Sequence, residues 1–405
     1  MDRKSVERYL VRRQIIEELG KEEWSAAELA KRYGISRQSI YKWAKRAQSE
    51  GWKGLEDQSR RPKSHPSQQI THRWEQSILE LKRRRRSWGA KKLQAQLKRR
   101  HANEALPSIA TIGRILQRRG LTKVTRRRKA GPVIEKHQKR PQAVNPNAVW
   151  AIDFKGYFRL GDRTTVYPLT IEDLYSRFLL EVRALGTTSQ QQVKRVCERV
   201  FARFGLPRSI LVDNGTPFCG DGLLGLSRLN VWWRRLGIEV YFIDRGRPQQ
   251  NGRLERLHRT LKAETTKPAS AHLNAQQRRF NRWRQHYNVQ RPHEAIAQRY
   301  PTELYRPSER AFPSSLLSIH YPPSWLRRKV RGNGEIRLKS ASYFLTESLS
   351  GEVVGLQPQD NNHFWIYWNG LLLATLHLDS SQPVRLARYR KKFSARSAAW
   401  LAAEL

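Results

Sequence analysis

The chain has 405 residues, with 78 Lys and Arg against 35 Asp and Glu, a formal net charge of +43. That excess, together with 13 Trp and 38% hydrophobic residues, excludes a disordered basic tail and points to a polyanionic partner, nucleic acid before an anionic membrane. Only Cys197 and Cys219 are present, so neither a disulfide framework nor a zinc module is expected, and no stretch approaches a membrane span. The expected location is the cytoplasm, associated with the nucleoid, with no membrane partner.

Residues 1–55 read as a helix followed by a helix-turn-helix. Within 24–43, Ala30 is small where two helices cross, Gly34 marks the turn, Ser36 is an N-cap, and Ile40 and Trp43 supply the buried side of the second helix. The other side then shows Arg37, Gln38, Tyr41 and Lys42, which suit base edges and phosphates in a major groove. An ordinary helical hairpin is the alternative. A polar linker over 54–66 leads to a second helix-turn-helix unit over 67–121. Its basic run 82–86 precedes an apolar helix through Leu93 and Leu97 and a capped helix over 108–116. Residues 122–147, basic and interrupted by Pro132, Pro141 and Pro146, describe a linker ordered by DNA.

Residues 148–290 mix strands (149–155, 165–171, 178–185, 209–213, 239–243) with helices (189–204, 223–236, near 251–267, 274–288). This order predicts a mixed α/β sheet. Past Pro313, short strands at 334–339, 342–346, 351–356, 363–368 and 371–378, with hairpin signals at Asp360-Asn361-Asn362 and Asn369-Gly370, predict a small SH3-like β-barrel over 325–380. A basic tail over 383–405 follows.

Three carboxylates carry the chemistry. Asp153 interrupts an apolar strand, and Asp213 closes the 209–213 strand before Asn214-Gly215, so it projects from the carboxyl edge of the sheet. Glu255 sits on a helix whose Leu254, Leu257 and Leu261 form an apolar stripe, while Glu255, Arg259 and Lys262 form a second. Three such hard-oxygen ligands suit two Mg²⁺ ions about 3.5 to 4 Å apart, the arrangement that phosphodiester cleavage uses. Asp173 and Asp244 compete for the role; Asp173 reads as shaping a hairpin and Asp244 as a loop residue. His258 reads as a surface histidine, with a contact to DNA or to a ligating acid as the alternative. His293 and Glu294 read as fixing the helix end that leads to the barrel.

Taken in order, Trp150-Ala-Ile-Asp153-Phe-Lys-Gly, Val212-Asp213-Asn-Gly215, the run from Gly246 to Lys262, Tyr287-Asn, Arg291-Pro-His-Glu294 and Pro301-Thr-Glu-Leu-Tyr resemble the DDE integrase-core insertion-sequence transposases. That family is related to retroviral integrases and shares their ribonuclease-H-like core. The resemblance implies that Asp153, Asp213 and Glu255 are catalytic metal ligands for two Mg²⁺, with Mn²⁺ as a substitute. It also sets Arg253, Arg256, Arg259 and Lys262 toward element-end DNA, and makes 246–252 a flexible active-site loop. The implied partners are double-stranded DNA, both terminal repeats and target, and further copies of the chain, at least a dimer on paired ends. The implied reaction is hydrolysis at 3′ ends followed by direct strand transfer. Two departures stand out: no His and Cys zinc module is present, and 41 residues separate Asp213 from Glu255, a longer interval than in retroviral integrases, with the surplus at 218–225. The rivals are a catalytically silent, domesticated transposase acting as a DNA-binding protein and a nuclease that cleaves without joining.

Overall fold

Three helices open the chain: α1 (Arg3–Gly20), α2 (Ala26–Tyr33) and α3 (Arg37–Glu50). The Ser25 hydroxyl accepts from the Glu28 amide while the Glu28 carboxylate accepts from Ser25, a capping box that fixes the start of α2. Gly34, at φ 65°, ends it in the left-handed region that a side chain would strain. Ser36 then caps α3, accepting from Ser39 N at 3.2 Å. Ile15, Leu29 and Ile40 are fully buried between the helices, and Ala26 and Ala30 are the small residues at their crossing. Arg12 donates to Leu55 O at 2.8 Å and to Asp57 at 2.6 Å, which ties the following turn to α1. The computed structural model describes residues 3–57, 72–122, 141–220, 222–243, 252–316, 318–380 and 383–386. They fall into two compact units, Met1–Thr71 and His72–Leu405.

The larger unit starts with α4 (His72–Arg84), α5 (Ala90–Arg100) and α6 (Ile109–Arg118). Ile78, Leu81, Leu93, Leu97, Ile112 and Leu116 are buried, and Ser108 caps α6 through Thr111 N at 3.1 Å. The strands and helices that follow are β1 (Val149–Phe154), β2 (Phe158–Arg159), β3 (Thr165–Asp173), β4 (Leu179–Leu185), α7 (Gln190–Phe204), β5 (Ser209–Val212), α8 (Arg228–Arg235), β6 (Glu239–Phe242), α9 (Gly252–Thr265), α10 (Leu273–Gln290) and α11 (Pro301–Leu304). The sheet order is β2-β3-β1-β5-β6, with β4 also paired to β3. β3 is antiparallel to β1, whereas β5 and β6 run parallel to it.

β1 alternates between two cores. Trp150 and Ile152 pack with Val193, Val200, Phe201 and Trp233 of α7 and α8. Val149 and Ala151 pack with Leu254, Leu257 and Leu261 of α9 and Phe280 and Trp283 of α10. Helices therefore cover both faces, which explains why β1 and β5 are apolar at nearly every position. Burying a leucine such as Leu257 contributes about 2 to 3 kcal/mol by area, so the α9 stripe alone anchors that helix firmly.

The helix expected over 223–236 begins at Arg228 instead. Leu224 and Gly225 take φ 51° and 67°, Ser227 caps α8, and the Ser227 hydroxyl and Asn230 amide close the preceding loop on Phe218 O at 2.9 and 3.0 Å. The strand β2 was not anticipated; it is two residues long and carries no pattern.

The carboxyl-terminal region contains β7 (Leu326–Lys329), β8 (Glu335–Leu338), β9 (Ala341–Phe344), β10 (Val353–Pro358), β11 (His363–Trp368), β12 (Leu371–His377) and β13 (Val384–Leu386). All five expected strands are present, joined by β7 and β13 at the edges. They form an open sheet β13-β12-β11-β10-β7 and a separate β8-β9 hairpin; among the described residues the edges do not pair to close the expected barrel. One face is apolar and meets Leu223, Leu226 and Val231 of the core. Arg235 pairs with Glu352 at 3.3 Å, Ser348 donates to Leu226 O at 2.9 Å, and Asn369 donates to Arg234 O at 3.1 Å. The surplus residues between Asp213 and Glu255 are thus the foot on which this sheet stands.

Candidate active site

β1 and β5 run in parallel register, with Val149 opposite Ser209 and Ala151 opposite Leu211. The same offset carried two residues on sets Asp153 across from Asp213, at the carboxyl ends of both strands. Side chains alternate along a strand, so Asp153 shares a face with Val149 and Ala151, the face covered by α9. Adjacent strands lie about 4.8 Å apart, close enough for two carboxylates to share a cation.

Asp153 is 8% exposed and faces His258 of α9, whose Nδ1 lies 3.8 Å from Asp153 Oδ2. The His258 Nε2 and Thr170 Oγ1 are hydrogen-bonded at 2.8 Å, and Thr170 also donates to Asp153 O at 3.2 Å. Thr170 is the residue paired with Asp153 across β1 and β3. Burial, with Lys155 adding to it, pushes the His258 pKa down to about 3, so the ring is neutral at physiological pH. His258 is therefore not a surface residue: it is 4% exposed and docks the Glu255 helix on the Asp153 strand. Its spacing from Leu254 and Leu261 continued the apolar stripe, a signal that the charged neighbours masked.

Asp213 turns back on its own loop, accepting from Gly215 N at 3.1 Å. A Cβ on Gly215 would sit 3.3 Å from both Asp213 carboxylate oxygens, so glycine keeps the space beside them open. Asn214 donates to Ile243 O at the end of β6 and fixes the loop. Glu255 is exposed in the first turn of α9, directly after residues 244–251, which lie outside the described set together with Asp244. Among the described residues no three His, Cys, Asp or Glu side chains are gathered into a metal-holding group. The register of β1 and β5 thus runs toward Asp153 and Asp213, and His258 brings the Glu255 helix onto the Asp153 strand.

The competing acid Asp173 is buried and shapes its hairpin: it accepts from Asn147 N at 2.9 Å, Ser176 N at 2.8 Å and Ser176 Oγ at 2.5 Å. One further acid was missed by sequence reasoning. Glu172 is buried opposite Ala151, and desolvation, against the pull of Arg177 and Arg253, pushes it up to about 7. The alternation of β3 placed it inward, but neighbouring Asp173 drew the attention.

The cationic candidates lie on the surface. Arg37, Gln38, Tyr41 and Lys42 are exposed on the first turns of α3, with Tyr41 at 61%. Arg253, Arg256, Arg259 and Lys262 are exposed along α9. Among the described residues no helix is long and apolar enough to cross a membrane.

Models of the integrase core domain match residues 143–248 and 236–301. A helix-turn-helix domain model matches residues 11–63 and a homeodomain-like domain model residues 39–116. The fold and these matches define an integrase-core protein with helix-turn-helix DNA-binding units. One similar protein is an uncharacterized 31.7 kDa protein of insertion element IS407 from Burkholderia multivorans, 30% identical over 234 residues, 56% of this chain and 78% of that one. Another is an uncharacterized 39.2 kDa protein of insertion element IS476 from Xanthomonas euvesicatoria, 27% identical over 230 residues, 56% of this chain and 63% of that one. The magnesium complex of the HTLV-2 integrase catalytic core is 14% identical, covering 41% of this chain and all of that one at a TM-score of 0.33, too loose a likeness to build on. The chain belongs to the integrase-core family of insertion-element transposases.

Proposed function

We propose that the protein binds the terminal inverted repeats of its element, hydrolyses the 3′ ends and joins them to target DNA by direct strand transfer. The observation that carries this reading is the parallel register of β1 and β5, Val149 opposite Ser209 and Ala151 opposite Leu211, which supports Asp153 and Asp213 facing each other at the strand ends, on the face that the Glu255 helix covers. Asp153, Asp213 and Glu255 would hold two Mg²⁺, or Mn²⁺ in their place; the donors are hard oxygens, and Gly215 leaves the Asp213 oxygens open. When bound, the ions supply an activated oxygen nucleophile and neutralise charge at phosphorus.

The chain's own side chains do the rest. His258, neutral, keeps Asp153 and α9 in contact. Arg253, Arg256, Arg259 and Lys262 hold phosphates of the end DNA. Arg37, Gln38, Tyr41 and Lys42 read the repeat from the first helix-turn-helix unit, residues 1–55, with the unit over 67–121 extending the site. In strand transfer the 3′-hydroxyl oxygen forms a new bond to the target phosphorus as the target's own P–O3′ bond breaks, so no covalent protein intermediate and no energy source are needed. Pairing two ends makes the working form at least a dimer, with the module over 325–380 as a tether between copies, in the nucleoid-associated cytoplasm.

The test uses the purified chain, labelled end DNA and Mg²⁺. Cleavage and joining are expected, and Asp153→Asn should reduce both by about 10³-fold or more while DNA binding is kept. Equal activity in the variant would sink the mechanism. Binding without cleavage by the natural chain would favour a silent DNA-binding protein, and cleavage without joining a nuclease.

A further inference from the structure

The second helix-turn-helix unit meets the core along a seam of side chains. Arg99 reaches both oxygens of Glu303, one at 3.1 Å, and its guanidinium lies 3.9 Å from the centre of the Tyr300 ring. Tyr300 in turn donates to Gln96 at 2.8 Å. Lys91 pairs with Glu294, and Arg85 donates to Gln290 at 3.0 Å. Trp88, 2% exposed, stacks on His286 with ring centres 6.1 Å apart. Glu294 therefore serves this seam and not the helix end assigned to it from sequence. With only 35 acids against 78 cations, the chain places three of them, Glu264, Glu294 and Glu303, at this one junction.

Glu264 lies on α9. Its Oε1 accepts from Ser87 Oγ of the second unit and from Arg291 Nη1 at 3.1 Å, and its Oε2 accepts from Trp283 Nε1 at 2.6 Å. One carboxylate thereby joins the second unit, α10 and the loop after α10 to the helix that carries His258 and Glu255. A helix is a stiff rod at this length, so a shift at Glu264 moves its other end.

We infer that the second helix-turn-helix unit is a fixed part of the catalytic unit, and that Glu264 is the positioning residue through which its docking holds α9 against the sheet. The consequence for catalysis rests on reading Glu255 as a site acid; the seam itself does not.

Hydroxyl-radical oxidation of Trp88 and His258 in the full chain without DNA tests the seam directly. Arg99→Glu sets two carboxylates against each other and should raise oxidation of both residues about fivefold or more, with circular dichroism unchanged. The swap Arg99→Glu with Glu303→Arg should return both to the natural rate, and Glu264→Gln should expose His258. Arg99 is remote from His258 in the contact chain, so a response there must pass through the seam. Trp88 opening while His258 stays protected overturns the positioning role; no response at either overturns the seam. With Mg²⁺ and end DNA, Arg99→Glu should lower kcat about tenfold with KM within about twofold, and the swap should recover it. An opened His258 with a natural kcat would also overturn the positioning role. A natural chain that cleaves nothing would remove the transposase reading, while the oxidation result still decides the seam.

Discussion

Ile40 and Ile112 occupy matching places in the two helix-turn-helix units, each fully buried on a helix whose first turn is capped by serine. Their surroundings diverge. In the first unit the described ion pairs are internal: Glu17 with Arg13, Glu18 with Arg32, and Asp57 with Arg8 and Arg12. The second pairs Glu75, Glu80 and Glu104 at home as well, but its Lys91 and Arg99 find their carboxylates on the rest of the larger unit. The first is accordingly a compact unit by itself, and the second shares one with the sheet. The same local motif stands as a separate unit or becomes a fixed wall of the core according to whether its charges also find partners beyond it.

The largest effects should separate the two units by calorimetry. Ile40→Ala and Ile112→Ala each remove a fully buried side chain and should cost about 2 to 5 kcal/mol. The first should lower one transition, that of residues 1–71, and leave the other in place. The second should lower the transition of the larger unit; a change confined to α4–α6 would break the comparison.

Next in size is a pH effect of Glu172, confined to the larger unit. The folded-state pKa of Glu172 is raised from 4.5 to about 7, so the folded state holds a proton that the unfolded chain has released. Stability is then greatest below pH 4.5 for this group, falls between pH 4.5 and 7, and by pH 8 has lost about 3 kcal/mol. Glu172→Gln should remove this contribution, so the stability of the variant relative to the natural chain should rise by about 3 kcal/mol from pH 4 to pH 8, as read by denaturant unfolding at both pH values. A difference between the two chains that does not change with pH would mean that Glu172 titrates the same way folded and unfolded.

The smallest effect sharpens the comparison through size. Ser36→Ala and Ser108→Ala each lose one cap, about 1 kcal/mol. In the small first unit that shifts Tm by about 4 to 8 °C, and in the much larger second by about 2 °C or less. Equal shifts would show that α4–α6 melt on their own.

Much of this was legible because it is local. Ser36 and Ser108 cap where they were expected to, Gly34 turns the chain, and the strands at 149, 165, 209 and 239 fall in place because apolar β-forming residues dominate them, with those at 149 and 209 buried on both faces. Of the site, the positions of Asp153 and Asp213 at strand ends and the two stripes of α9 were readable. What was hidden depends on partners distant in sequence. His258 looked polar and superficial until Thr170 and Asp153 supplied its surroundings. The 218–225 surplus had no reading until Leu223 and Leu226 met a sheet built more than a hundred residues later. Glu294 looked like helix punctuation, and Glu303 had no reading of its own, because Lys91 and Arg99 lie some two hundred residues earlier.

The foot under the carboxyl-terminal sheet also limits how this chain can be recombined. A Cβ on Gly220 would fall 2.1 Å from Leu226 O, and the loop around it begins just after the Asp213 turn and ends in the apolar patch the sheet covers. Grafting the carboxyl-terminal module of a relative would leave Leu223, Leu226 and Val231 facing a foreign surface, unless residues 218–231 travel with it. The exchangeable cassette is therefore discontinuous, one piece lying inside the mixed α/β core and the other beyond it, and the two must be moved together.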